Sequence, residues 1–257
     1  MNVQNLIFDV SHDAYIKKLL TYLDDVDYRR VTSDEDMLPV EKIRRAAYHK
    51  AGSFTNPNHP TTDQIDFDPK VYVYAVYWRA KLVSTVRIHI LSSQNPNSNS
   101  YTYFPEVVGP LLEQGKTFMD PTRFVIDPNI EDDIPGLSMI TLRLGFIAAK
   151  HFDCDYCLSM IRPRHAAFYR RVFRSTQITP EQRFSTLSDP YALHSSPKSM
   201  EDVICARYPV FRSLAKEREM LFGVPKLGQP ANLSVKPTAR LAMRNQVAHP
   251  DLLQAAQ

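Results

Sequence analysis

Residues 118–127, FMDPTRFVID, set Asp120, Pro121, Thr122 and Arg123 among apolar residues of the kind that strands favour. A carboxylate and a guanidinium in such a run are costly to bury unless each has a partner. Strict alternation puts Asp120, Thr122 and Phe124 on one face and Arg123 on the other. Pro121 donates no ladder hydrogen bond, which suggests an edge, a bulge or a splayed position, and bulges re-aim side chains beside active sites. A loop leading into a shorter strand, Arg123 to Ile126, accounts for the same residues. A second charged strand, LVSTVRIHIL (82–91), places Thr85, Arg87 and His89 on one face. Arg87 must therefore find an anion, in a structural salt bridge or in a site.

Other patterns carry less. G-x-G-x-x-G, P-loop and G-x-S-x-G motifs are absent, and the eight histidines show no metal-ligand spacing, so no metal is expected. DFD (66–68) is too short to stand for a metal-binding D-x-D. Cys154 and Cys157 form a C-x-x-C that runs on into a strand with no second pair, which reads as packing. Three cysteines suit a reducing cytoplasm. Net charge is +3, too small to imply nucleic acid. The N-terminus lacks the pattern of a signal peptide, and no run is apolar enough for a membrane span.

The elements that must position these residues follow from spacing and punctuation. Residues 26–33 read as a strand. Residues 34–52 read as a helix capped by Asp34 or Asp36 and closed by Gly52. Residues 53–69 form a turn-rich loop, and strands 71–78 and 82–91 form a hairpin over a three-residue turn, Arg79 to Lys81. A short helix near 105–115 leads to the 118–127 strand. A helix follows at 137–150, then a strand at 156–161 and a helix at 162–173. DVICARYPVF (202–211) is read as a strand. The order predicts an α/β domain over residues 1–222, with 223–257 as a tail or extension. Its strand–helix–strand unit makes the strands at 118 and 156 parallel.

This order resembles the GNAT acyltransferase fold, a mixed central sheet flanked by helices with two splayed parallel strands. MIRPRHAAFYRRVF (160–173) looks like that fold's fifth strand and following helix, although the usual acetyl-CoA signature is absent from NIEDDIPGLSMI (129–140). More narrowly, the sequence resembles acyl-homoserine lactone synthases and, more closely, N-acyl amino acid synthases of the FeeM type. Their ordered motifs appear here as RRAAY (Arg44, Tyr48), DQID (Asp63, Asp66), TVRI (Arg87) and DPTRF (Asp120, Thr122, Arg123, Phe124), across residues 26–175. Asp, Thr and Tyr stand where those families have Glu, Ser and Phe.

The resemblance implies transfer of a long acyl chain from a carrier thioester to the amine of an amino acid or similar small amine. Arg44, Asp63, Asp66, Arg87, Asp120 and Arg123 would converge, three charges of each sign, with Tyr48 beside the acceptor. Asp120 would be the base, with Thr122 beside it, and Tyr169 the acid that protonates the thiolate. Backbone N–H groups around Phe124, Val125 and Ile126 would hold the oxyanion. The pantetheine arm would lie between the strands at 122–126 and 156–161, and Ile140, Leu144 and Phe168 would line the acyl pocket. Arg143, Lys150, Arg162, Arg164, Arg170, Arg171 and Arg174 would face an acidic acyl carrier protein, with coenzyme A as the other possible donor and no tightly bound cofactor. Two other readings stay open. One is an S-adenosylmethionine-dependent autoinducer synthase, disfavoured because the loop after RRAAY has Phe54 and no tryptophan. The other is a non-catalytic acyl-binding module.

Overall fold

The computed structural model describes residues 3–130, 133–223 and 234–248. The chain opens with α1 (Val3–Asp24), where Ile16, Leu19, Leu20 and Leu23 recur at helical spacing and are buried. After β1 (Val26–Arg30), α2 (Asp34–Lys50) is capped by Ser33, whose side chain accepts the Asp36 N–H. The cap thus falls one residue before the predicted Asp34. Asp34, Glu35 and Asp36 instead fill the first turn, where the helix dipole favours them. Strands β2 (Val71–Trp78) and β3 (Lys81–Leu91) meet over a two-residue turn rather than three: Trp78 pairs with Lys81, and Arg79 and Ala80 both take positive φ, 48° and 64°.

Two short helices, α3 (Asn99–Tyr103) and α4 (Pro105–Glu113), lead to β4 (Phe118–Ile126). Then come α5 (Leu137–His151), β5 (Tyr156–Ile161), α6 (Ala166–Phe173), β6 (Thr176–Gln177) and β7 (Ala192–Pro197). Next is α7 (Glu201–Arg207), so the strand expected over 202–211 is a helix followed by the 3-10 turn Pro209–Phe211. Burial of Ile204, Tyr208 and Phe211 with Val203 exposed is the helical spacing that reading overlooked. The described chain closes with α8 (Ala215–Phe222), β8 (Ser234–Val235) and α9 (Ala239–Ala248).

One sheet runs in the order β6-β7-β5-β4-β3-β2-β1-β8. Every pair is antiparallel except β4–β5, which α5 joins as the crossover. This is the mixed sheet with a parallel pair that the resemblance implied. On one face α1 and α5 build the main core, with Tyr28, Val76, Ile88, Ile140, Leu144, Ile147 and Phe211. On the other, α2 packs through Met37 and Val40 on Val73 and Ala75. A third cluster joins α4 to Phe118, Leu158 and Leu193. Among the described residues, no helix is long and apolar enough to cross a membrane.

Arg143 was expected on a basic outer face; it is fully buried. It forms an ion pair with the buried Glu217 of α8, and its Nε and Nη2 donate to the carbonyls of Val210 (2.6 Å) and Arg212 (2.7 Å). Glu217 also accepts the Thr238 N–H (2.9 Å) and hydroxyl (2.6 Å). Part of the predicted tail is therefore fastened to the core: β8 pairs with β1, and Val235 and Ala239 are buried. Residues 224–233 and 249–257 of that tail lie outside the described residues. Glu217→Ala would leave Arg143 buried without its anion and is expected to cost about 3–5 kcal/mol, read as a lowered urea midpoint; an unchanged midpoint would contradict the assignment.

Candidate active site

The β3–β4 register places the charged residues. Thr122 lies opposite Arg87 and Asp120 opposite His89; beyond a shift, Val125 lies opposite Thr85 and Ile126 opposite Ser84. Arg123 and Phe124 therefore share one partner position, Val86. This is a β-bulge, with Arg123 in the left-handed region at φ 50°. Strict alternation would have sent Arg123 to the far face. The bulge turns it onto the face of Asp120 and Thr122, at a backbone cost of about 1–2 kcal/mol.

There the charges alternate. Arg44, fully buried on α2, donates through Nη1 to both oxygens of Asp66 at 3.0 Å and to the Thr61 carbonyl at 3.2 Å. Asp66 lies 3.4 Å from Nη1 of Arg87, which donates to Asp63 Oδ1 at 2.5 Å. The second Asp63 oxygen accepts Arg123 Nη2 at 2.8 Å. Burial opposes the Asp63 charge, but Arg87 and Arg123 outweigh it and hold this carboxyl below the usual range. Three arginines against two aspartates leave the chain of ion pairs with one uncompensated positive charge.

Asp120 stands apart from the balanced six-charge cluster expected. Among the described residues it makes no ion pair; its Oδ2 accepts the Ser100 N–H at the start of α3 (3.2 Å), and its Oδ1 has no partner. Burial raises its pKa against the pull of Ser98, Ser100 and Arg87. A carboxylate so placed is a stronger base than an exposed one.

His89 was placed on this face by alternation but given no role. Its Nδ1 lies 2.9 Å from the Asn97 carbonyl, which can only accept, so Nδ1 carries the proton. Nε2 then accepts the Thr122 hydroxyl (2.9 Å), and Thr122 accepts Arg87 Nε (3.0 Å). Burial, with Arg87 nearby, pushes His89 down to about 3, so it is neutral and aligns Thr122 and Arg87.

The loop over the site is held by these groups and by one predicted elsewhere. Arg123 Nη1 donates to the Pro60 carbonyl, Tyr48 meets Phe54 edge to face at 5.1 Å, and Phe54 stacks on His59 at 4.1 Å. Arg162, expected on the carrier face, is buried instead. It donates to Ser53 Oγ and the Tyr191 hydroxyl, both at 2.7 Å, and pairs with Asp189 at 3.2 Å, fastening the loop to the end of β5. Arg164, Arg170, Arg171, Arg174 and Lys150 are exposed; Arg164 pairs with Asp189 at 3.6 Å and Lys150 with Glu201 of α7.

On the opposite face the sheet is open. β4 and β5 pair only at Phe118–Tyr156 and Met119–Cys157, then part. An apolar cavity lies there, lined by Met119, Pro121, Leu142, Phe146, Ser159 and Tyr169 among others. Phe124 and Phe168 pack at its edge with Ile161 and Tyr169. Ile140 and Leu144, expected to line it, project into the main core, because α5 turns Leu142 and Phe146 to the cavity instead; of the β4 residues expected along the thioester arm, Ile126 packs against that core and Val125 lies on the Arg87 face. The Tyr169 hydroxyl has no hydrogen-bond partner among the described residues, and burial raises its pKa. Cys154 and Cys157 also line the cavity; burial pushes the Cys154 thiol up to about 12, as suits packing rather than redox work.

The His89 assignment has a pH consequence. Its folded value, about 3, lies below the ordinary 6.5, so the unfolded chain binds the extra proton between them. Stability from the neutral ring is complete above about 6.5 and is lost as pH falls toward about 3. His89→Asn is expected to flatten this acid loss in urea titrations at graded pH; an equally steep loss would contradict it.

Comparison with known proteins gives the site a family. The family model for the N-acyl amino acid synthase FeeM matches residues 39–196. The fold is similar to that of FeeM itself, an N-acyl amino acid synthase from uncultured soil microbes, at 17% identity and TM-score 0.57, over 69% of this chain and 93% of that one. The AHL synthase LasI is similar at 13% identity and TM-score 0.48, over 80% of this chain and 98% of that one. An acyl-CoA N-acyltransferase from Pseudomonas aeruginosa follows at 11% and 0.48, over 66% and 99%. No curated protein matches. By the family match across more than half its length, the chain belongs to the FeeM family of N-acyl amino acid synthases and is an acyltransferase.

Proposed function

We propose that this acyltransferase moves a long-chain fatty acyl group from an acyl carrier protein thioester to the amine of an amino acid. The observation that carries this reading is the parting of β4 from β5, with ion pairs and Asp120 on one face and an apolar cavity on the other. The thioester arm enters where the strands part, and the acyl chain runs into the cavity. Past Met119, N–H groups of β4 that point toward β5 have no strand partner and are free to meet an oxyanion.

The amine nitrogen attacks the thioester carbonyl carbon. Asp120, through a water, takes the ammonium proton; the C–S bond breaks as the tetrahedral species collapses; Tyr169 gives a proton to the departing thiolate. Arg87, aligned by Thr122 and His89, holds Asp63 and with it the loop over the acceptor. The extra positive charge of the ion-pair chain suits an acceptor that carries a carboxylate. Arg123, whose buried Nε has no hydrogen-bond partner among the described residues and which interacts electrostatically with Tyr48, is where this reading places that carboxylate. Exposed Arg164, Arg170, Arg171 and Arg174 around α6 would steer an acidic carrier protein. Residues 1–222 form the transferase unit in this reading, 223–257 its extension, and the reaction belongs in the bacterial cytoplasm, where the three free thiols stay reduced.

Purified protein with long-chain acyl-carrier protein should convert amino acids to N-acyl products by mass spectrometry, and should favour each amino acid over its amide and its decarboxylated amine. No product with any acceptor would contradict the reading. Asp120→Asn is expected to lower kcat/KM by about 10²–10⁴ with no loss of urea stability, because it removes a buried carboxylate. Retained turnover would remove Asp120 from the mechanism.

A further inference from the structure

Residues 97–100 are stitched to the site one after another. The Asn97 carbonyl accepts the His89 Nδ1 hydrogen at 2.9 Å, Asn99 Oδ1 accepts Arg87 Nη2 at 3.4 Å, and the Ser100 N–H donates to Asp120 Oδ2 at 3.2 Å. Ser98 is taken up by α3 itself, where its Oγ accepts the Tyr101 N–H. The Ser100 hydroxyl is left over. It is fully buried, yet its Oγ has no hydrogen-bond partner among the described residues, and Oδ1 of the equally buried Asp120 has none either. The hydroxyl is near enough to draw the pKa of the carboxyl down. A donor and an acceptor left unpaired in the interior are each costly. Their two residues are already tied through other atoms, so the pair lies side by side without bonding contact. One water between them satisfies both: it accepts the Ser100 O–H, donates to Asp120 Oδ1, and keeps a second lone pair free.

We infer that Ser100 is a positioning residue for acyl transfer: its hydroxyl holds the water through which Asp120 takes the proton of the amine. This rests on the proposed reaction. The ammonium N–H gives its proton to the free lone pair of the water while the water's own hydrogen moves to Asp120 Oδ1. What remains is a neutral carboxylic acid, an intact water and an amine lone pair ready to attack the thioester carbonyl. Without the Ser100 hydroxyl the water keeps one of these two partners and has no fixed orientation. Asp120 then stays in place, held by the Ser100 N–H, but loses its reach to the amine.

Ser100→Ala is expected to lower kcat for amino acid acylation by about 10–100-fold. KM for both substrates should change little, and the urea midpoint should hold, because α3 keeps its Ser98 cap. The acid limb of the kcat profile should move to higher pH, since a hydroxyl that drew the carboxyl pKa down is gone. In the Asp120→Asn background the same substitution should cost no further activity, because the two residues act as one unit. A full rate, an unmoved acid limb, or an equal further loss in Asp120→Asn would overturn the inference. Should Ser100→Ala not fold, a high-resolution crystal structure of the wild type decides. A water within hydrogen-bond distance of both Ser100 Oγ and Asp120 Oδ1 is expected; direct contact between those atoms, or no water on both, would overturn the assignment. Wild type inactive with every donor and acceptor, with that water in place, would count against the acyl-transfer reading instead.

Discussion

Two rungs, Phe118–Tyr156 and Met119–Cys157, are all that join β4 to β5. A parallel pair in the middle of an eight-stranded sheet would ordinarily continue for the length of its strands. Here Pro121 brings no N–H to the ladder two residues past the last rung, and Arg123 breaks the register with β3 two residues later. The backbone groups left unpaired sit where a thioester can reach them. The sheet becomes a partition with a slot: ion pairs and the buried Asp120 on the α2 face, an apolar cavity on the α5 face.

The slot is useful only because the charges beside it are held still. Buried guanidinium groups are tolerated when each has an anion; here that pairing is what holds them, since Arg44 Nε and Nη2 and Arg123 Nε have no hydrogen-bond partner among the described residues. Asp63 and Asp66 lie between Arg44, Arg87 and Arg123, so each aspartate serves two arginines. A neutral His89 at the end of the row fixes the Thr122 hydroxyl without adding a fourth positive charge. Asp120 keeps out of these pairs. Had it been bonded to an arginine, its pKa would have been drawn down and its value as a base lost. The α3 backbone N–H holds it in place more gently.

Much of this was legible in the sequence, because strand alternation and motif order are local. The four motifs and the parallel pair could be read before any coordinates, whereas a bulge was one of several readings that Pro121 left open, and strict alternation sent Arg123 to the wrong face. What failed were inferences that need a partner distant in sequence. Arg143 and Arg162 read as surface charges because Glu217, Ser53 and Tyr191 are far along the chain. Ile140 and Leu144 read as pocket residues because α5 is apolar nearly all round, and only the packing of α1 and α8 decides which side faces the cavity. The His89 role was within reach. A polar residue beside Arg87 on an apolar strand demands a partner, and Thr122 was already placed on the neighbouring strand.

The central claim is that head group and acyl chain lie on opposite faces of the sheet, joined through the slot between β4 and β5. The crystal structure of this protein bound to an N-acyl amino acid tests it most directly. The account predicts the amide bond at the slot beside the bulge, the amino acid head group on the face of Asp63 and Arg123, and the chain under Met119 against α5. A product lying wholly on one face, with the strands closed between Pro121 and Ser159, would contradict it.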